Sequence, residues 1–281
     1  MDRLDSITFD FRTVWISDIH LGTKDCKAKE LLEFIKHCRA KKIYLVGDII
    51  DGWALKKRWF WPQEHNDVIQ KLLRQARKGT EVIFIPGNHD EFARQFCGLN
   101  FGGIQVRHDD VHVTADGKKL WVTHGDLYDN IMQYARWIAF IGDRAYTFAL
   151  WLNRAFNRIR LKLNYPYWSL SQYLKHKVKA AVSCITAFED LLIREAKIKQ
   201  CDGVVCGHIH KAELRIIDHI TYANDGDWVE SMTALIENHD GSLQIIDWNE
   251  VGLINVLTEK ETLTSIPSRE EIKELSKHKS K

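Results

Sequence analysis

Seven side chains able to hold metal ions stand in five short clusters. They are Asp18 and His20 in Ser17-Asp18-Ile19-His20, Asp48 after Gly47, Asn88 after Gly87, His124 before Gly125-Asp126, and His208 and His210 in Gly207-His208-Ile209-His210. Each cluster follows a short apolar run, at the position where the loops of an α/β sheet gather ligands. A lone Asp-x-His or His-x-His pair usually just faces solvent. Recurrence of such clusters at the same structural position is what sets these apart. Oxygen and nitrogen donors without a cysteine favour a binuclear centre over a structural zinc. Residues two apart in a strand point the same way, so Asp18 with His20, and His208 with His210, are each expected to reach one locus. The glycines beside these residues are read as permitting tight turns at strand ends.

The elements that must position them follow from hydrophobic spacing. Residues 13–17 read as a buried strand, and residues 27–40 place Leu31, Leu32, Phe34, Ile35 and Cys38 at helical spacing. Residues 43–46 are a second strand, 66–78 a helix closed by Gly79, and 82–85 a third strand. From about 104 to 124 the pattern is strand-turn-strand with Asp116-Gly117 as the turn, and a second such turn falls at Asp240-Gly241. Residues 127–200 instead carry long helical patterns rich in Trp, Tyr, Phe and Arg, and strands return from Gly203 to about 248. The predicted layout is an α/β layered domain over 1–258, interrupted by a helical insertion, with a charged and poorly ordered tail over 259–281.

Bulk properties agree with a globular enzyme. The chain has 281 residues, 45% hydrophobic and 28% charged, which permits a sizeable core. A formal net charge of +2 neither demands nor excludes an anionic partner. The N-terminal Met-Asp-Arg-Leu-Asp lacks the apolar region of a secretory signal, and no apolar run reaches spanning length. The six cysteines form no CxxC pair, as expected of reduced thiols in the cytoplasm.

The blocks Ser17-Asp18-Ile19-His20-Leu21-Gly22, Gly47-Asp48-Ile49-Ile50-Asp51, Gly87-Asn88-His89-Asp90, His124-Gly125-Asp126 and Gly207-His208-Ile209-His210 together resemble the five ordered motifs of the calcineurin-like metallophosphoesterases. The helical insertion and the run Asn224-Asp225-Gly226-Asp227-Trp228-Val229 are similar to the UDP-2,3-diacylglucosamine pyrophosphatases of lipid A synthesis. The resemblance implies a four-layer αββα sandwich with a helical lid. It implies one metal on Asp18, His20, Asp48 and His210, and a second on Asp48, Asn88, His124 and His208, with Asp48 as the bridge. Two divalent cations, Mn²⁺ by expectation, would sit about 3.5–4 Å apart and acidify a shared water for in-line attack on phosphorus. It further implies that His89, oriented by Asp51, serves the leaving oxygen. The diacylglucosamine pyrophosphatases usually carry Arg where this chain has His89, which makes it a sister branch and leaves the substrate open.

Two further surfaces bear on the partner. Between Ile131 and Lys199 there are 12 Lys or Arg against 4 Asp or Glu, interleaved with aromatics. Such a face suits an anionic lipid or the cytoplasmic side of the inner membrane, where peripheral association is expected. Helices packing their aromatics on one another would read the same way. The stretch from Trp53 to Pro62 carries Lys56, Lys57, Arg58, Trp59, Phe60 and Trp61. Trp53, Arg58 and Trp59 are its candidate substrate-binding residues, and stacking on nucleobases keeps a nucleic-acid partner open. Three functions are thus carried forward: hydrolase of a lipid-linked nucleotide sugar, phosphodiesterase or nuclease, and non-catalytic scaffold. Oligomeric state is not legible.

Overall fold

The computed structural model describes residues 9–127 and 185–250. The chain divides into two compact units, Met1–Asp126 with Glu195–Lys281, and Leu127–Arg194. Of the second unit, residues 127 and 185–194 are described, the latter helical, with Phe188, Leu192 and Ile193 buried. The expected lid falls mostly outside the described residues, and the tail over 259–281 falls there entirely. No helix among the described residues is long and apolar enough to cross a membrane.

The first unit is an α/β sandwich of two sheets, as the sequence predicts. One sheet has seven strands, with β1 (Phe9–Ile16), β2 (Cys38–Val46), β3 (Glu81–Ile85) and β5 (Ile104–Val106) parallel in its centre. β4 (Asn100–Phe101) lies on one edge, and β11 (Thr233–Glu237) and β12 (Leu243–Asp247) complete the other side. The second sheet has five strands in the order β6 (Asp110–Val113), β7 (Lys119–Val122), β8 (Gly203–Cys206), β10 (Ile220–Asn224), β9 (Glu213–Ile217).

Strand alternation sorts the side chains into two cores. Val14, Ile16, Ile43, Leu45 and Val82 face helices α1 (Ala28–His37) and α3 (Gln63–Arg77), meeting Leu31, Phe34, Ile35, Val68 and Leu72. Their neighbours Trp15, Tyr44, Val46, Ile83 and Ile85 face the other way, onto Leu120, Val122, Val205 and Ala223 of the second sheet. A sheet covered on both faces needs apolar residues at every position, which is why these strands read as unbroken hydrophobic runs. Trp15 and Tyr44 stack between the sheets, ring centroids 5.7 Å apart. α1 stops three residues before the predicted end, because Cys38 is already extended and begins β2.

One polar cluster ties the two sheets together away from the metal-capable loops. The carboxylate of Glu237, fully buried, accepts from Arg12 Nη1 at 2.6 and 2.8 Å, Thr13 Oγ1 at 2.8 Å and the Ala115 N–H at 2.7 Å. His112 Nε2 lies 2.8 Å away. Burial pushes this carboxyl up, but His112, Thr13 and the Ala115 N–H hold it at about 2. The folded-state value is therefore depressed below the unfolded value of about 4.3. The stabilisation is present above the unfolded value and is lost as pH falls towards the folded one. Glu237→Gln should cost about 3 kcal/mol at neutral pH, since it leaves Arg12 without its counter-charge inside a buried hydrogen-bonded cluster. Urea melts should show the gap between wild type and variant closing as pH approaches about 2; a gap independent of pH would refute the assignment.

Candidate metal centre

The C-terminal ends of β1, β2, β7 and β8 carry six of the candidate donors from both sheets, and the structure brings these together. Besides His20 with Asp51 and His89, two groups have ligand atoms within 4.8 Å of one another: Asp18, His20 and His210, and Asp48, His124 and His208. Asp48 lies between them, its Oδ2 3.9 Å from His20 Nε2 and 3.5 Å from His124 Nε2. Asp18 Oδ1 is 3.0 Å from His210 Nε2 and 3.8 Å from His20 Nε2. Asn88, nearly buried, follows β3 into the same region; Gly87 beside it passes so close to Asp48 and His124 that a side chain there would collide with both.

These residues fit divalent cations. Asp48 Oδ2, both amide atoms of Asn88, His20 Nε2 and His124 Nε2 are buried without a hydrogen-bond partner. Each such atom costs about 1–3 kcal/mol unless something satisfies it. Their other faces are tied down. Asp18 Oδ2 accepts from Ser17 Oγ at 2.7 Å and the His208 N–H at 2.8 Å, Asp48 Oδ1 accepts the His89 N–H at 2.8 Å, and His124 Nδ1 lies 2.7 Å from the Val46 carbonyl. Held from behind, the inward atoms are pre-aimed, as ligands need to be.

The electrostatics agree. Burial lowers the His20 imidazole, but Asp18 and Asp51 raise it to about 10; burial lowers His124, and Asp48 raises it to about 10. Burial pushes the Asp18 and Asp48 carboxyls up, yet His210 and His124 respectively hold them well below the carboxylate range. The carboxylates thus favour a positive charge at His20 and His124, where a bound cation would take the place of a proton.

Backbone geometry corrects two expectations. Asp18, His20, Asp48, His208 and His210 all have positive φ, between 48° and 72°. Non-glycine residues rarely adopt this left-handed region, and clusters of them mark functional sites. Asp18 and His20 therefore meet through a strained loop, not through strand alternation. His208 and His210 do not share a locus: His208 joins Asp48 and His124, whereas His210 joins Asp18 and His20. Of the glycines read as turn formers, Gly47 and Gly125 do take positive φ, at 78° and 106°, and the other two differ. Gly87 and Gly207 have no positive φ, and Gly207 is required because a side chain would strike Ser17 and Asp18.

His89 and Asp51 lie beside the donors. His89 Nδ1 is 2.9 Å from Asp51 Oδ2, which is also 3.1 Å from His20 Nδ1. Burial pushes Asp51 up, but hydrogen bonds with His20 and His89 hold it well below its ordinary range. Asp51 Oδ1 accepts the Ala54 N–H at 2.7 Å and so caps α2 (Gly52–Lys57), a helix where the sequence reads as a loop. α2 carries Trp53 against His89, ring centroids 4.3 Å apart. Arg58 is the C-cap of α2, and Trp59 is 74% exposed and stacked on Trp61; of the three substrate-binding candidates, Trp53 is the one packed on His89.

Three supporting residues were missed by sequence reasoning. Asp90, fully buried, accepts N–H groups of Ile49 at 2.7 Å and Gly87 at 2.6 Å, with Asp48 and Ile50 at 3.3 Å, so one carboxylate pins the Asp48 loop to the Asn88 loop. Burial and Asp48 raise it to about 6. Asp225 lies 2.6 Å from Ser17 Oγ, behind Asp18, and burial pushes its carboxyl well above the usual range. His65 Nδ1 accepts the Gly22 N–H at 3.0 Å and steadies the loop after His20. Asp90 and Asp225 stand inside quoted motifs, but only the folded chain shows what they hold.

Comparison with known proteins agrees with this geometry. The family model of the calcineurin-like phosphoesterases matches residues 11–212. This chain belongs to the calcineurin-like phosphoesterase family and is a metal-dependent phosphohydrolase. Among curated relatives, a UDP-2,3-diacylglucosamine hydrolase of Histophilus somni strain 2336 is 24% identical over 245 residues, covering 82% of this chain and 97% of that protein. Another protein of that name, from Blochmanniella pennsylvanica, is 26% identical over 216 residues, covering 73% and 81%. Among solved structures, the phosphoesterase Yfce from E. coli is 15% identical with a TM-score of 0.40, covering 84% of this chain and 99% of that one.

Proposed function

We propose that this chain hydrolyses the pyrophosphate of a lipid-linked nucleotide sugar such as UDP-2,3-diacylglucosamine, releasing UMP and a diacylated sugar phosphate. The observation that carries the chemistry is the position of Asp48, whose inward oxygen lies between the two donor groups. The near full-length match to proteins named UDP-2,3-diacylglucosamine hydrolase supports the substrate class.

In this reading one cation is held by Asp18, His20, Asp48 and His210, and the other by Asp48, Asn88, His124 and His208. When bound, the pair supplies Lewis acidity to the phosphoryl oxygens and acidifies the attacking water. Mn²⁺ suits these oxygen and imidazole donors. The protein's own residues do the rest. Asp48 and Asp18 keep the two donor groups in register. Asp51 fixes the ring of His89 through Nδ1 at 2.9 Å, leaving Nε2 to deliver a proton to the departing oxygen. Trp53 covers one face of His89 and limits water access there.

The test is turnover. Mn²⁺-loaded protein should release UMP from UDP-2,3-diacylglucosamine; vigorous metal-dependent cleavage of simple diesters with none of this substrate would overturn the assignment. A second reading, a phosphodiesterase or nuclease, draws support from the Trp59–Trp61 stack beside exposed Lys56, Lys57 and Arg58. It requires salt-sensitive binding of single-stranded oligonucleotides. The scaffold reading is disfavoured by a chain that keeps a candidate donor at each of the seven motif positions.

A further inference from the structure

Asn88 differs from the other candidate donors in how its position is set. Asp18, Asp48 and His124 are each held from behind by a hydrogen bond. Neither amide atom of Asn88 has a hydrogen-bond partner among the described residues, although both are buried. Its place is therefore fixed through the backbone on either side of it. One anchor is Asp90, which ties the Gly87 N–H to the Ile49 N–H of the Asp48 loop. The other is Arg94, in the 3₁₀ turn Glu91–Phe96 that follows Asp90. Arg94 Nη2 donates to the carboxylate of Asp126 and lies 3.5 Å from the carbonyl of Pro86, two residues before Asn88.

Asp126 stands two residues after His124, and among the described residues its side chain bonds Arg94 alone. The ion pair thus joins the loop of Asn88 to the loop of His124, which leave β3 and β7 in different sheets. The two loops already touch, since a side chain on Gly87 would come within 2.6 Å of the His124 ring. Asp126 is buried and Arg94 partly so, and salt screens such a pair less than a surface one. We propose that Arg94 is a positioning residue for the second cation: through Asp126 and Pro86 it sets the spacing of Asn88 and His124. This rests on the ligand assignment above, in which those two share a cation with Asp48 and His208. No hydrogen bond or ion pair of Asp18, His20 or His210 among the described residues involves Arg94 or Asp126, so the first cation should be indifferent to the pair.

The experiment is equilibrium dialysis of the full chain against Mn²⁺, with bound metal counted by mass spectrometry. Wild type should take up two cations. Arg94→Ala should keep its affinity for the first and lose at least about tenfold for the second, as when a group behind a metal ligand is removed. That variant leaves a buried carboxylate unpaired and loses stability, so Arg94→Gln/Asp126→Asn, which removes both charges, is measured beside it. It should show the same selective loss. The Mn²⁺ concentration for half-maximal hydrolysis of bis(4-nitrophenyl) phosphate should rise by the same factor, with kcat at saturating Mn²⁺ close to that of wild type. A pair that only steadies the fold would leave that concentration where it was. A double variant that melts cooperatively and binds its second Mn²⁺ as wild type does overturns the proposal, as does equal weakening of both cations. A wild type that takes up a single cation overturns the ligand assignment itself, and the role of Arg94 with it, so the wild-type isotherm tells the two failures apart.

Discussion

Asp48→Ala is expected to reduce hydrolysis of any substrate by at least about a thousandfold, because the loss of a carboxylate serving two cations removes several kcal/mol of transition-state stabilisation. Asp48 is fully buried, and its Oδ2 lies near His20 and His124 without a hydrogen bond. Its removal takes away a ligand together with a buried charge that, without cations, only His20 and His124 offset, and with His124 free to lose its proton the metal-free fold should survive. Its other oxygen accepts the His89 N–H at 2.8 Å, so the Asn88 loop loses one tie but keeps the Asp90 clamp. Metal content per chain should fall, while the thermal transition of the metal-free protein stays within a few degrees. Asp48→Asn, which keeps the acceptor for His89, should restore the loop but not the second metal. A variant that binds two cations and turns over like wild type would remove Asp48 from the bridging position.

All seven donors are visible in the sequence because each sits in a short motif at the end of an apolar run. Local chemistry suffices to find them, and the structure brings six of them into the two groups around Asp18 and Asp48. How they are shared is different. Strand alternation alone sends His208 and His210 to one locus; the resemblance divides them between the two groups, and so does the structure, with each residue in the left-handed region. Asp90 and Asp225 act on groups 40 or more residues distant, through contacts such as Ile50 N–H to Asp90 at 3.3 Å and Ser17 to Asp225 at 2.6 Å, so their roles exist only after folding. The strands were legible, but not which face each residue serves. Ile43 and Leu45 go to the helices, while Tyr44 and Val46 go to the other sheet, and a run buried on both faces hides that alternation. α2 escaped because its signal is a cap, Asp51, already given another role in the sequence reading.

His89→Ala should slow hydrolysis of phosphodiesters with an alkoxide leaving group by about 100- to 10,000-fold, the range of a lost general acid, while both cations stay bound. The expectation follows from where the ring is anchored. Its Nδ1 is 2.9 Å from Asp51, one face is covered by Trp53 at 4.3 Å, and its edge meets His20 at 4.6 Å, so it borders the donors through a third group, His20, Asp51 and His89, that shares only His20 with the groups around Asp18 and Asp48. A residue that only buttresses His20 would, when removed, loosen metal binding and slow all substrates equally. A proton donor behaves differently: the penalty should be large for an alkoxide leaving group, as in a methyl phosphodiester, and small for 4-nitrophenolate, which departs without help. His89→Arg sharpens the contrast, since a guanidinium stays charged and grips phosphate but does not give up its proton. It should restore KM and leave kcat low. Equal losses with both leaving groups, or cations lost from His89→Ala, would make His89 a support for the metal site and not an acid.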